Sequence, residues 1–181
     1  EKITALDHFI SDVLSHSKNL KLDVKYDKVD IRNILAKTIE DLNYLEGAND
    51  VDFNIEIGVE YFYSDPWRIS EIFRNLVSNA IKYRNDQAQK PKVGIEITAD
   101  DEWVKIRFSD NGIGISQQNL DRIFEMFYRA TEQSDGSGIG LYIVKNAVDK
   151  LEGSIFVESE VSVGTTFYID LPNRIGSAMR V

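Results

Sequence analysis

Three short signatures between residues 75 and 141 constrain this chain more than any other feature. They are a helical stretch at 75–83 (NLVSNAIKY), a strand running into a turn at 109–115 (SDNGIGI), and a glycine loop at 136–141 (GSGIGL) that opens another helix. Each signature alone is weak, because glycine-rich turns and polar helix faces are common. The ordered set predicts a nucleotide-binding pocket.

The composition narrows the class of protein. A chain of 181 residues that is 43% hydrophobic can bury the core of one domain. Its formal charge of −9 argues against nucleic acid as a partner, since binding to a phosphate backbone needs clustered Lys and Arg. There is no cysteine, and the two histidines are too few for a multi-histidine metal site. No apolar run is long enough to predict a bilayer-spanning segment, and the pattern that follows residues 1 and 2 is not the one expected of a signal peptide.

The periodicity of apolar residues predicts an α+β fold. Helices are expected at 31–45, 66–82, 116–127 and 141–151, and strands at 53–57, 61–63, 93–99, 103–108, 154–158 and 165–171. Asp30, Asp65 and Ser116 are the predicted helix caps, with Pro66 in a first turn. Phe124, Phe127 and Tyr128, at helical spacing, are expected in the core. Because helices and strands alternate irregularly, with hairpins, a two-layer sandwich is favoured over a doubly wound parallel sheet.

The N-terminal residues have a different pattern. Ile3, Leu6, Ile10 and Val13 alternate spacings of three and four, which is typical of a coiled-coil seam. We interpret it as the end of a longer helical element, the alternative being an ordinary helix packed on the domain. The predicted organisation is a helix end with a linker at 1–24, a domain at 25–173 and a tail at 174–181.

One face of the first signature helix is polar. Glu71, Asn75, Ser78, Asn79 and Lys82 share it, one turn apart. An Asn oxygen can complete the shell of a Mg²⁺ ion that otherwise keeps water and phosphate, and a Lys can neutralise phosphate charge. The alternative is a solvated helix face without a ligand.

Asp110 shares strand parity with Val104, Ile106 and Phe108, so its carboxylate is predicted to point inward. A carboxylate in that position needs strong donors, and an adenine amino group with a bound water would satisfy it. The alternative is an Asp that caps a turn. We favour the base-binding hypothesis because Gly112 and Gly114 have no side chains, which leaves the backbone open to the close approach of a flat base.

Further candidates surround these residues. Gly136, Gly138 and Gly140 precede a helix, whose first amides form a generic anion site, although such loops are often only connectors. Thr165 alternates with the inward-facing residues of its strand, so its hydroxyl is predicted to point inward and to need a hydrogen-bond partner. In buried threonines that partner is commonly a nearby backbone group. Arg129 could reach phosphates or be a solvated cation.

These motifs resemble the catalytic and ATP-binding domain of bacterial sensor histidine kinases, in the superfamily shared with gyrase, heat-shock chaperone and mismatch-repair ATPases. The resemblance covers residues 29–172 and implies the Bergerat fold, a mixed sheet covered by helices on one face. The matching boxes are 65–68 (lead-in), 75–83 (asparagine box), 110–114 (first glycine box), 123–129 (phenylalanine box), 136–141 (second glycine box) and 164–167 (closing box).

The resemblance also implies a role for each site residue. Asn79 would ligand Mg²⁺, with Asn75 as a second candidate, and Lys82 and Arg129 would contact phosphates. Tyr83 would pack on the base, Asp110 would accept from its amino group, and Thr165 would support the bound water. The remaining implied contacts to ATP or ADP are the glycine boxes with their flanking residues, Gly112, Gly114, Ile115, Gly136, Gly138, Ile139, Gly140 and Leu141. The segment 129–139 would be the lid over the nucleotide.

One position separates branches of the superfamily. The ATPases place a glutamate one turn before the Mg²⁺ asparagine, and Asn75, which cannot act as a general base near neutral pH, occupies that position here. The resemblance therefore implies phosphoryl transfer to a histidine on an upstream, dimeric helical domain, followed by relay to a response regulator. Neither His8 nor His16 fits the motif of the acceptor.

Two alternatives stay open, a related protein-serine kinase or anti-sigma switch and a non-catalytic nucleotide sensor. The expected location is cytoplasmic, with membrane attachment of the longer protein and dimerisation of this chain left open.

Overall fold

A mixed five-stranded sheet is the centre of the fold in the computed structural model, which describes residues 10, 13–14, 17–19, 21–85, 90–130 and 137–178. Its strands lie in the order β2 (Asp52–Ile57), β4 (Lys92–Ala99), β5 (Trp103–Asp110), β7 (Gly164–Pro172) and β6 (Ser154–Glu160). Only β2 and β4 run parallel, and the other neighbours are antiparallel. Two short strands, β1 (Asp27–Val29) and β3 (Phe62–Ser64), pair separately.

Helices cover one face of this sheet. The described helices are α1 (Ile31–Asp41), α2 (Pro66–Lys82), α3 (Gln117–Leu120), α4 (Gly140–Lys150) and α5 (Ile175–Ala178), of which α5 contacts β3 of the small sheet, and a 3₁₀ turn lies at Ala48–Asp50. The core is visible in β4, where Val93, Ile95 and Ile97 are buried and the alternate positions are more accessible. The predicted two-layer α+β sandwich is therefore confirmed.

Two of the predicted helix starts have the expected local chemistry. The Asp30 carboxylate accepts from the backbone N–H of Asn33 at 3.1 Å, and that of Asp65 accepts from Arg68 at 3.1 Å. Pro66 occupies the first turn of α2, where a missing N–H costs nothing.

The predicted helix at 116–127 is wrong in length. Only 117–120 is helical, and the Ser116 side chain makes no capping hydrogen bond. The N–H of Arg122 donates to the carbonyl of Asn119, and the N–H of Glu125 donates to that of Arg122. Each bond joins residues three apart instead of the four of an α-helix, so the chain continues as successive turns. Phe127 ends them with a φ of 65° and is 55% exposed, so its predicted place in the core is also wrong. Likewise α1 stops at Asp41 rather than at 45.

The N-terminal seam falls largely outside the described residues, as do His8, His16 and Gly136. Those residues between 10 and 21 that are described are helical, with Ile10 and Val13 exposed. The predicted domain boundaries, after residue 24 and after residue 173, remain predictions. Within the described part of the chain, no helix has both the length and the apolar character that crossing a bilayer would require.

Candidate functional site

A single pocket brings together most of the predicted site residues. It lies between α2, the turn after β5, the residues around the start of α4, and β7. The predicted residues that line it are Asn75, Asn79, Lys82, Tyr83, Asp110, Gly114, Ile115, Arg129, Gly138, Gly140, Leu141 and Thr165. Gly112 and Ile139 do not line it, and the Ile139 side chain is fully buried.

Asp110 ends β5 on the inward side, as predicted. Its Cα pairs with that of Val93 on one neighbouring strand and of Thr165 on the other. One carboxylate oxygen accepts from the backbone N–H of Gly112 at 2.9 Å, so the same Asp also closes the turn. Burial raises the pKa of Asp110 to about 6, outweighing the opposite effect of backbone N–H groups of Gly112 and Thr165. The pocket therefore contains a carboxyl group poised to accept a hydrogen bond near neutral pH.

Thr165 belongs to a buried hydroxyl network. Its Oγ1 lies 2.9 Å from the Oγ of Ser159, which accepts from the N–H of Ile115 at 2.8 Å and donates to the carbonyl of Gly164 at 2.9 Å. Because the Ser159 proton is committed to Gly164, the Thr165 hydroxyl is the donor between the two side chains. Its oxygen keeps acceptor capacity. Sequence reasoning missed Ser159, which nothing marks before strand pairing is known.

The two glycines after Asp110 make room for protein backbone. A Cβ on Gly112 would lie 2.4 Å from the carbonyl oxygen of Tyr83, and one on Gly114 would lie 2.0 Å from that of Glu160. Gly114 also has a φ of +70°, which L side chains rarely adopt. Both glycines therefore let the turn pack against α2 and β6. Because Gly114 also lines the pocket, the expectation that the glycines clear space for a base stays a prediction.

The polar face of α2 is buried at Glu71 and Asn75, half-buried at Ser78 and Asn79, and exposed only at Lys82. Asn75 is 6% exposed, and its amide group donates to the carbonyl of Glu71 at 2.8 Å, which directs the side-chain oxygen toward α4. A Cβ built on Gly140 would lie 3.0 Å from that oxygen and 3.9 Å from the one of Asn79. Both carboxamides therefore meet the first turn of α4.

The start of α4 presents backbone rather than side chains. Ile139, at the N-cap, makes no side-chain cap bond, so the first amides of α4 are not used by a cap side chain. The carbonyl of Gly138 accepts from the N–H of Phe127 at 2.9 Å, which places Tyr128 and Arg129 beside the loop on the pocket wall. Arg129 and the first amides of α4 therefore lie on the same wall of the pocket.

The other end of the pocket lies at the end of α2. The carbonyl of Tyr83, the C-cap of this helix, accepts from the N–H of Ile113 at 2.9 Å. Tyr83 and Ile113 thus stand beside Asp110 as the wall of an apolar slot with one acceptor. Such a slot fits a flat heterocycle with an amino group.

Carboxamide oxygens fit a magnesium ion better than a transition metal. The described residues contain no group of three or more His, Cys, Asp or Glu that could hold a metal by themselves. Asn75 and Asn79 supply neutral, hard oxygens, and Mg²⁺ typically takes one or two protein ligands, completing its shell with water and phosphate.

Sequence reasoning also missed several wall residues, including Leu42, Tyr44 and Arg74. The first two follow α1, and no local pattern connects that segment to the signatures. Arg74 precedes the asparagine box directly and could have been noticed as a cation on the polar side of α2.

Known proteins resemble this chain in both sequence and fold. Residues 64–175 match the family described as histidine kinase-, DNA gyrase B-, and HSP90-like ATPase, and the chain belongs to that family. It is 39% identical over 130 residues to the autoinducer 2 sensor kinase/phosphatase LuxQ of Vibrio parahaemolyticus, covering 68% of this chain and 15% of that protein. It is 31% identical over 180 residues to the sensor protein kinase WalK of Staphylococcus haemolyticus, covering 95% of this chain and 29% of that protein.

Solved structures agree. The mycobacterial sensor histidine kinase MprB superposes with a TM-score of 0.69 at 25% identity, covering 82% of this chain and 99% of that one. Full-length ShkA in complex with AMPPNP superposes with a TM-score of 0.76 at 24% identity, covering 91% of this chain and 35% of that one. At this identity the likeness shows the fold alone. The resemblance to the ATP-binding domain of sensor histidine kinases is confirmed. The chain spans 15% and 29% of the length of the two sequence relatives.

Proposed function

We propose that this chain binds Mg²⁺-ATP and transfers the γ-phosphoryl group to a histidine on a helical domain upstream in a longer protein. The observation that carries the proposal is one pocket that contains both the Asp110–Thr165 strand pair and the carboxamides of Asn75 and Asn79, which meet the first turn of α4. Base recognition and phosphate binding would then use different parts of this pocket.

At the base end, the Asp110 carboxylate would accept from the adenine amino group. The Thr165 oxygen, whose proton is given to Ser159, would hold the bound water. Tyr83 and Ile113 would pack on the faces of the ring.

At the phosphates, Lys82 from the last turn of α2 and Arg129 would neutralise charge, and the first amides of α4 would donate to phosphate oxygens. Asn79 would hold Mg²⁺, with Asn75 as the second candidate ligand. The ion supplies charge neutralisation at the phosphates when bound. Residues 129–139 are the proposed lid, of which 131–136 lie outside the described residues.

The reaction would be a displacement at the γ-phosphorus. An imidazole nitrogen forms the new N–P bond, and the bond from phosphorus to the bridging oxygen breaks with its electron pair left on ADP. Asn75 supports transfer over hydrolysis, because a carboxamide anchored on the carbonyl of Glu71 cannot take a proton from water. Positioning and electrostatics would supply most of the rate.

The test is phosphoryl transfer in the longer protein that contains this chain. With Mg²⁺ and γ-labelled ATP, we expect label on the protein that is labile in acid and stable in base, as phosphohistidine is. Asp110→Asn should reduce the labelling at least tenfold at limiting ATP, because the base loses its ionised acceptor.

Three other outcomes are informative. Acid-stable label would indicate a serine kinase instead, and ATP binding without label would indicate a nucleotide sensor. Failure of the wild-type chain to bind ATP would contradict the pocket itself.

The partners belong to the same proposal. We expect the upstream domain to dimerise the longer protein and a response regulator to receive the phosphoryl group. The domain would act in the cytoplasm.

A further inference from the structure

Arg74 is a cation on the pocket wall that the family motifs do not explain. It forms a two-pronged ion pair with Glu71, with Nε to Oε1 at 3.1 Å and Nη2 to Oε2 at 2.8 Å. The Glu71 side chain is 10% exposed and that of Arg74 is 32% exposed. A bidentate pair of this kind fixes the plane of the guanidinium.

The pair differs from an ordinary surface ion pair in where it lies. Exposed pairs on helices contribute little and change geometry freely, whereas the Glu71 carboxylate is nearly removed from water. The backbone of Glu71 also accepts from the Asn75 amide at 2.8 Å. One turn of α2 therefore fixes both a candidate metal ligand and a guanidinium on the same wall.

The position of Arg74 along α2 defines what it can reach. Tyr83, beside the base end, lies nine residues later, which is about 13 Å along the helix axis at 1.5 Å per residue. Arg74 shares its side of the helix with Ser78 and Lys82, at spacings of four residues. If the base of a nucleotide meets Asp110 and its phosphates follow this line, the phosphate farthest from the base would come nearest to Arg74, which lines the same pocket.

We infer that Arg74, held by Glu71, contacts the terminal phosphate of a nucleoside triphosphate and lets this site discriminate ATP from ADP. The inference rests on the proposed function, because it needs the base at Asp110. Arg74 is a specificity residue in this account, with Glu71 as its positioning residue. Because Glu71 takes the Nε–Nη2 edge of the guanidinium, a phosphate would accept from the N–H groups that point away from Glu71.

The test is calorimetric titration of this chain with Mg²⁺-ATP and with Mg²⁺-ADP. For Arg74→Gln we expect about tenfold weaker ATP binding, the size of one charge-assisted hydrogen bond, and less than twofold change for ADP. Glu71→Gln should weaken ATP by a smaller factor, because the guanidinium keeps its charge and loses its clamp. The matched control is Arg107→Gln, which removes another Arg–Glu pair, at 2.6 Å to Glu96, away from the pocket.

Each outcome is decisive. Equal weakening for ATP and ADP, or no weakening for either, would overturn the assignment of Arg74 while leaving the pocket intact. Nucleotide binding absent from the wild type would overturn the proposed function as well. If Arg74→Gln does not fold, Arg74→Lys serves, and unchanged discrimination between ATP and ADP in that variant would contradict a role for the fixed guanidinium.

Discussion

The Nε of Arg68 donates a hydrogen bond of 2.8 Å to the side-chain oxygen of Asn19, and both residues are buried. The same guanidinium donates to the carbonyl of Leu22 at 2.7 Å and forms an ion pair with Asp65, which caps α2. The helix that carries the pocket asparagines is therefore joined at its start to the helical residues that precede β1.

Removing this guanidinium should destabilise the fold. We expect Arg68→Met to lower the free energy of unfolding by about 3 kcal/mol, because the buried Asp65 loses its cation. Urea unfolding measures the change. The control Arg107→Met breaks an exposed pair and should cost less than about 1 kcal/mol. A loss as small in Arg68→Met as in the control would show that the junction contributes nothing to stability.

Asp110→Asn should separate binding from stability. The affinity for ATP at pH 7.5 is expected to fall at least tenfold, since a charge-assisted acceptor is lost and an amide donor can take its place. The stability of the free protein should stay the same or rise, because burial already disfavours the carboxylate. Titration calorimetry and thermal unfolding measure the two effects, and unchanged affinity would contradict the site.

The raised pKa of Asp110 predicts opposite effects of pH on ligand and fold. The pKa of about 6 in the folded protein lies above the ordinary aspartate pKa of 3.8, so the free native state gains stability from proton uptake as pH falls from above 6 to below 3.8. The ionised acceptor for the base is lost over the upper part of that range. ATP affinity should therefore be lower at pH 5 than at pH 7.5.

Comparison with Asp110→Asn isolates this effect, because the phosphates of ATP titrate identically in both experiments. The ratio of wild-type to variant affinity should decrease toward pH 5. A constant ratio would exclude Asp110 as the titrating acceptor.

Asn79→Ala should reveal the magnesium site. We expect about tenfold weaker binding of ATP in the presence of Mg²⁺ and less than threefold change when a chelator replaces the ion, because only the metal-bound form uses the carboxamide oxygen. Asn146→Ala is the control, since that Asn lies on α4 outside the pocket, where its side chain donates to the carbonyl of Tyr142 at 2.9 Å. Equal losses with and without Mg²⁺ would argue against a ligand role.

Gly114→Ala should disturb the pocket through the backbone. Its φ of +70° and the 2.0 Å approach of the Glu160 carbonyl leave no space for a methyl group. We expect a loss of about 2 kcal/mol or more in the free energy of unfolding. Gly176→Ala has no atom within 4 Å of the added Cβ and should change stability by less than about 0.5 kcal/mol. Similar effects of the two substitutions would contradict this explanation.

Patterns among neighbouring residues were enough to predict much of the fold and many of the residues that line the pocket. Strand alternation placed Asp110 and Thr165 on the inward face, and helix periodicity put Asn75 and Asn79 on one side of α2, because both periods are properties of neighbouring residues. The caps at Asp30 and Asp65 are equally local. The same rules failed at Phe127, where a left-handed residue ends a series of turns that resembles a helix in its apolar spacing.

Only the tertiary structure decided which distant groups meet. Strand pairing brings Ser159 to Thr165. The turn after β5 packs against the end of α2, and this contact by itself requires a glycine at position 112. The depth of the Glu71 and Arg74 pair likewise depends on elements from outside α2. Contacts between residues far apart in the chain depend on how whole elements pack, and no periodicity within one element contains that information.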